Sequence, residues 1–162
     1  MPALQSGVID ATEWVGPWND LAFGFYKITP YYYGPGFHEP NSSIEAFANK
    51  ERYDALPSDL KEIVQSACLT ESTYMLAEFT AANSQAQKVL VEQHGVKLGS
   101  FPEDLMKAVV EISEDVVPET AAGGDINRRI YESWSAFRRR AMAYQPLSDY
   151  GFIRNRGLAL KA

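Results

Sequence analysis

The chain has 162 residues, 46% hydrophobic and 22% charged, with a net charge of −6 and an isoelectric point near 4.9, a profile of a globular chain rather than a disordered or fibrous one. A single cysteine, Cys68, excludes an internal disulfide, and two histidines exclude a His-rich metal site. No apolar run reaches the roughly 18 residues of a membrane span, and the first ten residues, MPALQSGVID, carry no basic leader or apolar stretch of a secretion signal.

In chain order, Pro2 to Ser6 predicts a brief helix, and Val8 to Thr12, partly β-branched and following Gly7, predicts a strand. Trp14-Val15-Gly16-Pro17 breaks the chain, after which Asn19 or Asp20 caps a short helix running through Lys27. Tyr31 to Tyr33 reads as a strand closed by Gly34-Pro35-Gly36. Ser43 to Asn49 alternates apolar and polar residues and is a further strand candidate. From Ser58 to Gly95, Leu60, Ile63, Val64, Ala67, Met75, Phe79, Ala82, Ala86 and Val89 recur at spacings of three and four, predicting one long helix of roughly 50 Å. A break between Thr70 and Thr73, where the stripe lapses, is the alternative. Val96 to Leu98 predicts a short strand, and Pro102 opens a helix with Leu105, Val109, Ile112 and Val116 on one face, ended or kinked by Pro118. Asp125 is an expected N-cap for a last helix ending near Pro146, with Ile126, Ile130, Trp134, Phe137 and Ala141 facing inward.

Two kinds of sequence are joined near residue 53. Residues 1–53 hold eleven of the twenty aromatics and five of the nine prolines, whereas 54–162 is helix-forming sequence. Net charge runs −3 over residues 1–53, −9 over 54–125 and +6 over 126–162. The basic end could mark a nucleic-acid patch, but the acidic overall balance favours an arginine-bearing helix lying beside an acidic one, and no nucleic-acid partner is expected.

Enzyme signatures are missing: there is no Ser/His/Asp order, Cys/His pairing, glycine-rich phosphate loop or zinc spacing. What remains is a pair of acids set among rigid aromatics, Glu13 beside Trp14 and Glu39 between His38 and Pro40. Both follow a predicted strand, and ligand sites of open α/β folds collect at strand carboxyl ends. Two carboxylates with backbone carbonyls form a shell for a hard cation. The competing reading leaves the two acids unconnected, His38 hydrogen-bonded within the structure, and Tyr31 to Tyr33 as half-buried strand residues.

At these residues the chain resembles a known family. The run PALQSGVIDATEWVGPWNDLAFGFYKITPYYYGPGFHEP is similar to the C-terminal half of solute-binding proteins of tripartite ATP-independent periplasmic (TRAP) transporters, in the branch associated with 2-oxo acids and lactate-type 2-hydroxy acids. The likeness continues through ANKERYDALPSDLKEIVQSAC and VEQHGVKLGSFPEDL, covering residues 2–113 at least. It implies an α/β fold, the C-terminal lobe portion of a two-lobed periplasmic receptor, helix-rich, with a short sheet and one long lobe-spanning helix. It implies a non-enzymatic role: binding a small carboxylate with a sodium or calcium ion and delivering it to membrane permease subunits. Glu13 matches the family's acidic cation ligand, Trp14 the adjacent residue whose carbonyl and ring line the site, and Glu39 the downstream carboxylate. Residues 1–53 then form an aromatic-rich ligand-lobe segment and 54–162 a helical segment of a single incomplete unit.

Members of that family are about twice as long, and their first half supplies the export signal, an arginine for the substrate carboxylate and a further cation ligand. Arg52 is the sole arginine before position 128 and lies in an ordinary helix start. The expectation is therefore an N-terminally truncated or split receptor that, alone, binds its ligand too weakly to measure. The reading from another class is a helical dimerisation module without ligand binding, using the long and basic helices.

Overall fold

The structure is a computed structural model and describes residues 1–159 except His38, Pro40 and Ser43. It divides into two compact units, Met1–Phe101 and Pro102–Ala162, so the compositional change at residue 53 falls inside the first.

In the first unit, helix α1 (Pro2–Gln5) is followed by irregular chain. No strand forms at Val8–Thr12: the Val8 and Ile9 amides donate back to the Ala3 carbonyl, at 2.9 and 3.4 Å, and turn the chain onto α1 instead of into a ladder. Helix α2 (Pro17–Phe23) starts three or four residues earlier than a cap at Asn19 or Asp20 would place it. Proline's fixed φ suits the first helical position, Gly16 is the cap, and Asn19 and Asp20 lie inside the helix. It ends at Gly24 in the left-handed region, and a single 3-10 turn, Phe25–Lys27, leads to strand β1 (Tyr31–Tyr33).

Ser43 lies outside the described residues, and Ile44 to Asn49 is exposed irregular chain rather than a strand, with Asn49 capping helix α3 (Lys50–Asp54) through its side chain. Alternation alone cannot make a strand where no neighbour offers backbone partners. Helix α4 (Ser58–Glu92) is continuous for 35 residues, with no break at Thr70–Thr73. Its apolar stripe is covered unevenly: Ala86 and Leu90 are buried and Phe79 half-buried, whereas Leu60, Ile63, Val64 and Leu69 are exposed. The covered part is where α2 packs, with the Trp18 and Phe79 rings edge to face at 5.1 Å. Past the helix end, Gly95 at φ 68° turns the chain, and Val96, one of the core residues, leads into strand β2 (Lys97–Gly99).

Strands β1 and β2 pair in parallel, with Tyr31 opposite Lys97, Tyr32 opposite Leu98 and Tyr33 opposite Gly99. A parallel pair needs a crossover, which α3 and α4 provide. A Cβ at position 99 would meet the Tyr33 ring at 2.8 Å, so any larger residue there must displace that ring.

The second unit begins with helix α5 (Glu103–Glu119). Pro118 does not end it at once: the helix takes the proline into its last turn and passes into a 3-10 turn, Thr120–Gly123. Helix α6 (Asp125–Tyr144) has Gly124 as its cap, which makes Asp125 the first helical residue rather than the cap. The stripe expected to face inward is open on α6: Ile126, Ile130, Trp134 and Phe137 are all exposed. Arg138 donates to Glu114 of α5 at 2.6 Å, while Arg128 pairs with Asp125 and Glu132 on its own helix, so the arginines serve helix pairing and a solvated face. Helix α7 (Asp149–Ala159) carries Gly151 and Gly157 and has no apolar stripe, which is why periodicity does not reveal it.

Candidate functional site

Glu13 and Trp14 lie on the irregular stretch between α1 and α2. Their place is set by the Val8–Ala3 turn behind them and by Gly16 and Pro17 ahead. Gly16 has φ 155°, a backbone conformation that strains any other residue, and a Cβ there would lie 3.2 Å from Asn83 Oδ1 and press on that side chain. Asn83 uses that Oδ1 to accept the Trp18 amide at 2.9 Å, capping α2 from α4. Trp14 is half exposed and meets the ring of Phe23, the last residue of α2, edge to face at 5.5 Å. The Thr12 hydroxyl donates to the Glu13 carbonyl at 3.3 Å.

Behind this segment lies Asp20, the only buried polar or charged residue among those described. Its Oδ2 accepts from the Tyr32 hydroxyl at 2.6 Å, and its Oδ1 is buried without a hydrogen-bond partner. Burial pushes the Asp20 carboxyl above the usual carboxylate range; the Tyr32 hydrogen bond pulls it back in part, and the charge of Glu13 pushes it up again. Burial first, then the bond to Asp20 and the charges of Asp20 and Glu13, push the Tyr32 phenol well above its ordinary value. Glu13 is thus within electrostatic reach of both.

Glu39 is exposed and follows the Gly34-Pro35-Gly36 turn that leaves β1. The turn is pinned just before it: Phe37 meets Phe101 edge to face at 5.3 Å, and Tyr33 meets Phe101 at 5.7 Å. His38 lies outside the described residues. The structure therefore brings Glu13, Trp14, Asp20 and Tyr32 into one neighbourhood. Among the described residues no three His, Cys, Asp or Glu side chains are grouped to hold a metal. The donors are nonetheless of the right chemistry for a hard cation, a carboxylate next in sequence to a backbone carbonyl and a second carboxylate on a pinned loop.

Asp20 and Tyr32 enter the sequence reading only as a helix cap and a strand residue, and Asn83 does not enter it at all. Tyr32 carried a usable signal, as the middle of a three-residue strand whose side chain must oppose those of Tyr31 and Tyr33. Asn83 carried none, because its partner lies 65 residues away. Among the described residues no helix is long and apolar enough to cross a membrane. An open depression runs along α6 at Ile126, Ile130, Trp134 and Phe137, with Arg129 and Ser133 in its mainly apolar lining.

Comparison with known proteins bears on the chain as a whole. The model of bacterial extracellular solute-binding proteins, family 7, matches residues 1–123. A monocarboxylate 2-oxoacid-binding periplasmic protein of Nostoc sp. is 33% identical over 150 residues, 93% of this chain and 41% of the relative. A TRAP transporter solute-binding protein from Bordetella bronchiseptica, a dimer with copurified calcium and picolinate in one site and the other site apo, superimposes with a TM-score of 0.91 at 32% identity over 99% of this chain and 47% of its own. A TRAP periplasmic solute-binding protein from Colwellia psychrerythraea, solved with calcium and pyruvate, gives a TM-score of 0.87 at 34% identity over 95% and 47%. The chain thus spans less than half the length of these relatives. The resemblance read from residues 2–113 is borne out, as is the helix-rich α/β fold with its short sheet and long helix.

Proposed function

From the premise that this chain belongs to the bacterial extracellular solute-binding proteins of family 7, a family of non-enzymatic transport components, we propose that it is part of the substrate-binding component of a TRAP transporter. Its ligand is a small 2-oxo or 2-hydroxy carboxylate taken up with calcium, or sodium in its place. The observation that carries this reading is the pyruvate- and calcium-bound Colwellia protein, 34% identical over nearly the whole chain.

In this reading the Glu13 and Glu39 carboxylates and the Trp14 carbonyl hold the cation. Two carboxylates balance the charge of calcium, and the coordination positions they leave open would take the oxygens of the ligand carboxylate. Trp14, half exposed against Phe23, supplies the flat apolar wall that such small-molecule sites combine with a few polar groups. Residues 1–53 form the ligand-lobe segment and 54–162 the helical segment of one incomplete unit. The whole receptor works in the periplasm and passes its ligand to membrane permease subunits.

Isothermal titration of pyruvate, with and without calcium, into a receptor-length protein containing residues 1–162 tests this. Calcium-dependent heat that disappears in Glu13→Ala is expected. Heat independent of calcium, or unchanged by Glu13→Ala, would sink the site. The exposed Ile126, Ile130 and Phe137 of α6, together with the dimeric Bordetella relative, favour homodimerisation as a second property. Sedimentation of the chain as a clean monomer at every concentration would remove it.

A further inference from the structure

Asp20 is one of the least expected residues of the first unit: a carboxylate 7% exposed, with one oxygen bonded and the other without a partner. Burying such a group is costly unless a specific contact compensates, and the donors proposed above do not use it. What it does use is Tyr32. The hydroxyl-to-carboxylate distance of 2.6 Å is that of a charge-assisted bond, the strong and directional kind.

The two ends of this bond sit on elements with different freedom. Tyr32 is the middle residue of β1 and is held in register opposite Leu98 of β2. Asp20 is on α2, seven residues long and too short to hold its own orientation without tertiary contacts. The α2 helix in turn carries the candidate site at both ends. Glu13 and Trp14 enter it through Val15 and Gly16, and Trp14 folds back so that its ring rests against Phe23 at the far end. Any rotation of α2 about its axis displaces Phe23, and Trp14 with it. The contacts of Trp18 with Asn83 and with the Phe79 ring hold the first turn.

We infer that Asp20 and Tyr32 are positioning residues for the Glu13–Trp14 wall: their hydrogen bond sets the rotation of α2 against β1, and so the place where Trp14 meets Phe23. The inference rests on the proposed reading of Glu13 and Trp14 as site residues. It adds that the wall is built before any ligand arrives, by a pair that need not touch the ligand.

The test uses the full chain labelled with 5-fluorotryptophan, which has three tryptophans; Trp14→Phe assigns the Trp14 resonance and Trp134 in the second unit is the internal reference. Without ligand, Tyr32→Phe and Asp20→Ala should shift the Trp14 resonance and leave that of Trp134 in place. Asp20→Asn, which keeps an oxygen acceptor for the Tyr32 hydroxyl, should return it toward the wild-type position. Leu90→Val loosens the core beside α4 without touching the bond, and should leave Trp14 unmoved. A Trp14 resonance unchanged by Tyr32→Phe, or moved as far by Leu90→Val, overturns the inference. Because no ligand is present, neither result depends on whether calcium and pyruvate bind; adding both to the same samples tests the proposed function separately.

Discussion

Replacing Asn83 by alanine probes how the candidate site is anchored, because it removes one acceptor from one cross-element contact. The first N–H groups of a helix have no partner within it. In α2 proline at the first position has no N–H, the Asp20 amide reaches the Gly16 carbonyl at 2.9 Å, and the Trp18 amide is met by Asn83 Oδ1 at 2.9 Å. Gly16 supplies no side-chain cap of its own, so α4 performs the capping from 65 residues away. Loss of a side-chain cap costs about 1–2 kcal/mol. Alanine is also the better helix former at position 83, which returns up to about 0.6 kcal/mol within α4. The net expectation is a loss of about 1 kcal/mol. For a unit of this size that lowers the melting temperature by about 4–8 °C, read by far-ultraviolet circular dichroism on the whole chain. Asn83→Asp retains an oxygen acceptor and places negative charge at a helix N-terminus, so it should melt near the wild type. An Asn83→Ala protein as stable as the wild type, or an Asn83→Asp protein as weakened as Asn83→Ala, would refute the capping argument.

Two further predictions concern the same unit. Tyr32 is held above its ordinary value of 10.0, so above pH 10 the unfolded chain gives up its phenolic proton before the folded one does, and stability falls with rising pH; Tyr32→Phe should flatten that alkaline limb in chemical denaturation, and parallel limbs would show the burial argument wrong. At the acid end Asp20 is raised above 3.8, so its protonated form favours folding below that value and the benefit fades as pH climbs through the raised one; Asp20→Asn should remove this component. Leu90 is 2% exposed and Leu60 42%, so Leu90→Ala should cost about 2–5 kcal/mol while Leu60→Ala stays within about 0.5 kcal/mol; equal losses in urea unfolding would mean that the two halves of α4 are covered alike.

Periodicity found the elements whose side chains repeat and failed where backbone partners decide. The long helix was legible because nine apolar positions recur along most of its length, whereas its continuity at Thr70–Thr73, where the stripe lapses, was left open by the sequence. The strands expected at Val8–Thr12 and within Ser43–Asn49 do not form over the described residues, because β-branching and alternation describe a residue's fitness for a sheet and not its partner, and Val8 instead spends its amide on Ala3. Helix α7 escaped for the opposite reason, since two glycines and an aperiodic apolar content hide a helix from a pattern search. The inward face assigned to α6 misjudged burial rather than structure. Spacing fixes which residues share a face, but whether that face is covered depends on what lies against it, and Ile130 and Phe137 are exposed.

The candidate site shows the same division at finer grain. Glu13 and Trp14 could be picked out because an acid next to a rigid aromatic just ahead of a glycine–proline break is unusual. Their supports could not, since Asp20 becomes notable only once Tyr32 is seen to reach it, and an aspartate three residues after a proline otherwise reads as an ordinary first-turn acid. The order of these contacts also explains why the wall is precise although its own backbone is irregular. Trp14 leans on Phe23, Phe23 belongs to α2, and α2 is fixed at its start by Asn83 and along its length by Tyr32. Each partner sits on a longer or paired element, so an unstructured stretch inherits its geometry from the helix and the sheet behind it. If that chain of supports is correct, substitutions at Asn83 and Tyr32 should disturb Trp14 more than substitutions at its immediate neighbour Val15, which is half exposed.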